Sequence, residues 1–135
     1  MLEDAQVLIF CATKKFVENT SKMIATHLKK STYYKSSLCL KRAEVVEEIN
    51  QLPGGCPHML SERIARGVAY HHAGLLATIR AIIEDAFSNG IINVLVATST
   101  LAAGVNLPAR RVIIRSPRVA NHDMDVTKYR QVNSY

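Results

Sequence analysis

Thr13, Lys14 and Lys15 stand where a buried apolar run gives way to a helical period. A helix N-terminus carries partial positive charge and favours acidic residues in its first turn. Two lysines there conflict with that preference, and such conflicts tend to mark functional positions. A phosphate would resolve the conflict, because free amides and ammonium groups can share one anion. The plainer alternative leaves both lysines in water, with Thr13 as an ordinary N-cap.

Two further loops carry groups of the same kind. The segment Val96-Ala97-Thr98-Ser99-Thr100-Leu101-Ala102-Ala103-Gly104-Val105-Asn106-Leu107-Pro108 sends three hydroxyls out of an apolar run. These hydroxyls can cap a helix or donate to a phosphate, and the free amides beside them support either role. Gly104 allows a close backbone approach, and Asn106 can donate and accept at a polar ligand. The third segment ends in His71-His72-Ala73-Gly74. Adjacent strand residues point to opposite faces, so one histidine is expected to be buried and the other to reach the edge. The sequence offers no further ligand at metal-binding spacing. A packed histidine beside a surface one is the plain reading of the pair.

These loops need elements to hold them. Val7-Leu8-Ile9-Phe10-Cys11 is a continuous apolar run, as expected of a strand covered on both faces. Phe16, Val17, Thr20, Met23, Ile24, His27 and Leu28 then recur at helical spacing. Residues 31–37 read as a polar loop and residues 40–51 as a second helix, broken at Pro53-Gly54-Gly55. A short helix over 59–65 is expected to stop at Gly67. Strands are expected at 68–71, 91–97 and 112–114. A strong amphipathic helix follows Gly74 and closes at Ser88-Asn89-Gly90, and a helical turn is expected over 98–104. Alternating strands and helices imply an α/β domain with a mainly parallel sheet. In such a sheet ligands bind outside the carboxyl ends of the strands, where all three loops lie.

Composition sets the outer bounds. The 135 residues suffice for one domain with one core, and 48% are apolar. No apolar run approaches the ~20 residues of a membrane span. The acidic start lacks the basic stretch of a signal peptide, so an intracellular protein with no membrane partner is expected. Three cysteines, Cys11, Cys39 and Cys56, are odd in number and far apart, which argues for reduced, packed thiols and against a disulfide framework or a zinc site. Lys and Arg total 17 against 11 Asp and Glu, a formal net charge of +6, and Lys14, Lys15, Lys22, Lys29, Lys30, Lys35, Lys41 and Arg42 fall in one early stretch. That balance favours polyanionic partners without identifying one.

Three segments resemble a known family. Phe10-Cys11-Ala12-Thr13-Lys14-Lys15 resembles helicase motif IV, GVAYHHAGL over 67–75 resembles motif IVa, and ATSTLAAGVNLPARR over 97–111 resembles motif V. Their order and spacing are similar to those of the superkiller-type superfamily 2 helicases, above all the polymerase-theta and polymerase-theta-like DNA helicase branch. The resemblance covers residues 5–131. It implies a RecA-like parallel sheet flanked by helices, the second of two lobes that close around ATP and Mg2+, with 1–135 as one helicase C-terminal domain. It further implies strand-backbone contacts from Thr13, Lys14, His72, Thr98 and Thr100, with Gly104 and Asn106 toward the ATP cleft; His71 stays packed.

The family pattern continues into Gln-x-x-Gly-Arg-x-Gly-Arg, whereas this sequence reads Gln131-Val132-Asn133-Ser134-Tyr135. It also has no Gly-x-x-x-x-Gly-Lys-Ser/Thr loop. No catalytic residue is therefore expected in this chain, and the lobe is expected to be incomplete at its C-terminal side. An arginine finger is worth ~10³–10⁵ in rate, so no ATP hydrolysis is expected of the chain alone. The functional expectation is a piece of an ATP-dependent DNA helicase of the nuclear repair type. It would work with the first helicase lobe on single-stranded or unwinding DNA. The alternatives are a non-catalytic module binding single strands or a partner, and the lobe of an RNA helicase. A metabolic nucleotide-binding domain fits less well, for want of a Gly-x-Gly-x-x-Gly loop.

Overall fold

The computed structural model describes residues 6–30, 36–98 and 111–115. Strand β1 (Val7–Cys11) leads into helix α1 (Lys14–Lys30). Helices α2 (Ser36–Asn50) and α3 (His58–Ala65) follow, then strand β2 (Val68–His71), helix α4 (Ala77–Ser88), and strands β3 (Val94–Thr98) and β4 (Arg111–Arg115). The four strands form one sheet in the order β2-β3-β1-β4. Every pairing is parallel, with Cys11 level with Thr98 and Arg115, and His71 level with Ala97. The expected α/β class and parallel sheet are therefore observed.

The apolar runs account for the core. Leu8, Phe10, Val68, Ala69, Leu95, Val96 and Ala97 are almost wholly excluded from water. Strands with helices on both faces read as continuous apolar segments rather than alternating ones. Adjacent residues of β2 show the two layers directly. His72, just beyond the strand, bonds to Glu18 of α1, while His71 bonds to Glu84 of α4. Since successive strand residues face opposite ways, α1 and α4 lie on opposite faces of the sheet.

The amino-terminal edge of the sheet is fastened by turns. Gly67 sits at φ 84°, and its carbonyl accepts from the N–H groups of Asn93 and Val94. The buried Arg42 of α2 reaches over this turn, donating from Nε to the Ile91 carbonyl at 2.9 Å and from Nη2 to Asn93 Oδ1 at 2.7 Å. This positive-φ turn is what stops α3 and starts β2 at the expected glycine.

Two boundaries differ from the sequence reading. Helix α2 begins at Ser36, four residues before the expected start. Strand β3 begins at Val94 rather than at residue 91, because the N–H groups of Ile91 and Ile92 both donate to the Ala86 carbonyl and close α4. Ile92 is still fully buried, so its apolar character reported a core position and not a strand. The expected helical turn over 98–104 lies, beyond Thr98, outside the described residues.

Candidate nucleic-acid interface

Because all strands run the same way, the ends of β1, β2 and β3 emerge at one edge. Cys11 stands opposite Thr98, and His71 opposite Ala97, so the segments that follow them start at the same height. Ala12 and Thr13 follow β1, the 72–75 turn follows β2, and Thr98 ends β3. Thr98 is partly buried. Thr100, Gly104 and Asn106, expected beside it, lie outside the described residues.

Thr13 is the N-cap that its sequence position suggests. Its Oγ1 accepts from the Phe16 N–H at 3.1 Å, and its carbonyl accepts from the Val17 N–H at 2.9 Å. The first turn of α1 contains no acidic residue. Thr13, Lys14 and Lys15 are all exposed, so two ammonium groups and the open end of the helix face solvent together. Thr13 thus satisfies one amide of the helix end while the remaining ones stay available to an anion.

The 72–75 turn is built differently from the expectation. Both histidines are buried, His71 at 4% and His72 at 5% exposure, which corrects the reading that one of them reaches the edge. The reason is that helices cover both faces here, although β2 is the last strand of the sheet. His72 Nε2 meets Glu18 Oε2 at 2.9 Å, the Gly74 N–H donates to His72 Nδ1 at 3.0 Å, and the ring stacks on Tyr70 with centroids 5.5 Å apart. The His72 side chain, expected to face a strand, is internal to the 72–75 turn. The Arg63 guanidinium lies 5.7 Å from the Tyr70 ring on the same side of the sheet. Burial pushes the Tyr70 phenol up, and the Glu18 carboxylate adds to the effect.

His71 is a packed residue, as expected. Nε2 is 2.8 Å from Glu84 Oε2, and Nδ1 is buried with no hydrogen-bond partner. A second ring proton would sit at that enclosed Nδ1. Burial accordingly lowers the His71 pKa below its ordinary 6.5, against the opposing pull of Glu84.

Lys14 joins the two loops. A Cβ placed on Gly74 would lie 2.9 Å from His72 Cε1 and 3.4 Å from Lys14 Cδ. The lysine stem therefore runs along the 72–75 turn while its ammonium group remains outside. The geometry brings Thr13, Lys14 and the His72 turn together at one edge, with Thr98 level with the strand end beside them. Glu18 and Tyr70 were not singled out from sequence. A carboxylate one turn after Lys14 carries no periodic signal that distinguishes it from a solvated surface acid.

The cysteines offer no reactive centre here: none is in a disulfide, Cys11 is buried, and burial raises the Cys56 thiol pKa. Among the described residues no cluster of His, Cys, Asp and Glu could hold a metal ion, and no helix is long and apolar enough to cross a membrane.

Comparison with known proteins bears on this edge. The model of the helicase conserved C-terminal domain matches residues 45–133. The chain is 40% identical over 142 residues to DNA polymerase theta of Mus musculus, covering 96% of this chain and 6% of that protein. It is 42% identical over 127 residues to the Helicase POLQ-like protein of Homo sapiens, covering 93% of this chain and 11% of that protein. It is 46% identical over 78 residues to the ATP-dependent DNA helicase Hel308 of Pyrobaculum calidifontis, covering 54% of this chain and 11% of that protein. The chain thus spans only a small part of each of these relatives. With a parallel α/β sheet, the ends of β1, β2 and β3 at one edge and a family model matched over most of its length, the chain belongs to the helicase conserved C-terminal domain family, in the polymerase-theta-like branch of superfamily 2.

Proposed function

We propose that this domain grips the sugar–phosphate backbone of a DNA strand at the carboxyl edge of its sheet, as the second lobe of an ATP-dependent DNA helicase. The observation that carries the reading is the packing of the Lys14 stem against the 72–75 turn, beside the open N-terminus of α1. Lys14 and Lys15 supply charge, Thr13 and the first-turn amides supply donors, and Thr98 extends the row at the end of β3. Such contacts are made to phosphates and carry no base information, which suits a motor that must move along any sequence. His72 holds the turn from inside rather than touching the strand.

The partner in this reading is a first helicase lobe. ATP and Mg2+ belong, in this reading, to the complete two-lobe motor, and the motif V resemblance assigns Gly104 and Asn106 to its nucleotide cleft. The motif likeness to the polymerase-theta branch supports a role in DNA repair in the nucleus.

The test is binding of a fluorescent single-stranded oligo(dT) to this chain across a salt series. Affinity is expected at low salt, falling linearly on logarithmic axes. Lys14→Ala is expected to reduce the slope by about 0.7, the contribution of one single-strand phosphate contact. Binding that is absent at low salt, or unaltered in Lys14→Ala, would remove the assignment. A matched RNA competitor distinguishes a DNA-directed lobe from an RNA-directed one, because only a site reading the 2′-OH separates the two.

A further inference from the structure

Glu18 lies one helical turn after Lys14, where an (i, i+4) surface pair would bring an acid beside a lysine. Its carboxylate instead turns inward to His72 at 2.9 Å. The imidazole is held at both nitrogens. Nδ1 accepts from the Gly74 N–H and so carries no proton, which leaves the proton on Nε2, donated to Glu18. The His72 carbonyl accepts from the Leu75 N–H at 3.1 Å, closing the turn on the other side. The ring stacks on Tyr70, and the Lys14 stem comes close to the same turn at Gly74.

We propose that Glu18 is a positioning residue: acting through His72 it fixes the 72–75 turn against Lys14, so that the α1 N-terminus and this turn meet a phosphate strand as one unit. The proposal deepens the strand-grip reading and rests on it for its functional half. The relay reaches from α1 through the ring to a backbone amide and so ties two chain segments more than fifty residues apart. It also explains why the histidine is buried at a ligand-binding edge: the ring serves the shape of the turn, and the lysine beside it serves the ligand. Gly74 is required at this point because a side chain there would occupy the space of the ring.

The experiment uses this chain with Glu18→Gln, Glu18→Ala and Glu18→Asp. Gln and Ala both remove the charge, but only Gln keeps an oxygen that can accept from Nε2–H. Asp keeps the charge and falls one methylene short. Ring ¹⁵N shifts are expected to show the Nε2–H tautomer in the wild type and Glu18→Gln, and a mixture in Glu18→Ala. Gly74 amide exchange is expected to be about fivefold faster in Glu18→Ala than in Glu18→Gln, the loss of roughly one hydrogen bond. Glu18→Ala is expected to bind oligo(dT) about fivefold more weakly than Glu18→Gln with the same salt slope, and Glu18→Asp more weakly than the wild type. Equal tautomer, exchange and affinity in the Ala and Gln variants would overturn the proposal. So would a lowered salt slope at Glu18→Ala, which marks a lost phosphate contact. If the wild type does not bind oligo(dT), the strand-grip reading fails, while tautomer and exchange still decide whether Glu18 holds the turn.

Discussion

Thr13 has one observed task and one proposed task, which substitution can separate. Its hydroxyl caps α1 by accepting from the Phe16 N–H, and it faces the solvent where a phosphate would bind. Thr13→Asp keeps a capping oxygen and adds a charge that suits the helix end. Thermal denaturation is expected to show stability at or above the wild type, while affinity for oligo(dT) falls through repulsion. Thr13→Ala is expected to lose about 1 kcal/mol of stability. Equal oligo(dT) affinity in the wild type and Thr13→Asp would place the strand elsewhere. His71 gives a pH signature. Its folded pKa is depressed by burial, so the unfolded chain binds the proton more readily. The stability associated with the neutral ring is fully present above the unfolded value near 6.5 and is lost as pH falls through that value toward the folded one. Urea midpoints between pH 7.5 and 5.5 are expected to fall more for the wild type than for His71→Gln; equal falls would mean that the ring is not the group responsible. Thr13 was legible because capping is local chemistry. The burial of both His71 and His72 was not, since it depends on α1 and α4 approaching from opposite faces, which no local pattern records.

At the scale of elements, the turn joining α3 to β2 is the most constrained. Gly67 combines a φ of 84° with the Arg42 guanidinium, whose Nη2 would lie 2.5 Å from an added Cβ. Gly67→Ala must therefore strain the backbone and displace a buried arginine that holds Ile91 and Asn93. A loss of about 2–3 kcal/mol in urea denaturation is expected, at the upper end for a residue forced into a left-handed conformation. A loss below ~1 kcal/mol would show that Arg42 is not fixed there. The glycine itself was readable as a helix stop. Its second task was not, because Arg42 lies far away in sequence and reads as one more charge in a basic stretch. The start of β3 was misplaced for a related reason. Ile91 and Ile92 carry the apolar character of a strand but spend their amides on the end of α4, and periodicity alone cannot separate those uses.

For the whole molecule, the parallel order β2-β3-β1-β4 is what brings the ends of β1, β2 and β3 to one edge. Strand alternation with helices made the sheet type legible, and the rule that ligands gather at carboxyl ends nominates the edge that the proposed strand would occupy. The strand order and the face taken by each helix came only from long-range packing. The claim on which the rest depends is that a phosphate strand lies along this edge. Its most direct measurement is the change in backbone amide shifts of ¹⁵N-labelled chain on adding oligo(dT) at low salt. The account predicts the largest changes at residues 12–15, 72–75 and 98, with the amino-edge residues Gly67, Asn93 and Val94 unaltered. Changes centred on the amino edge, or none at any of these positions, would contradict it.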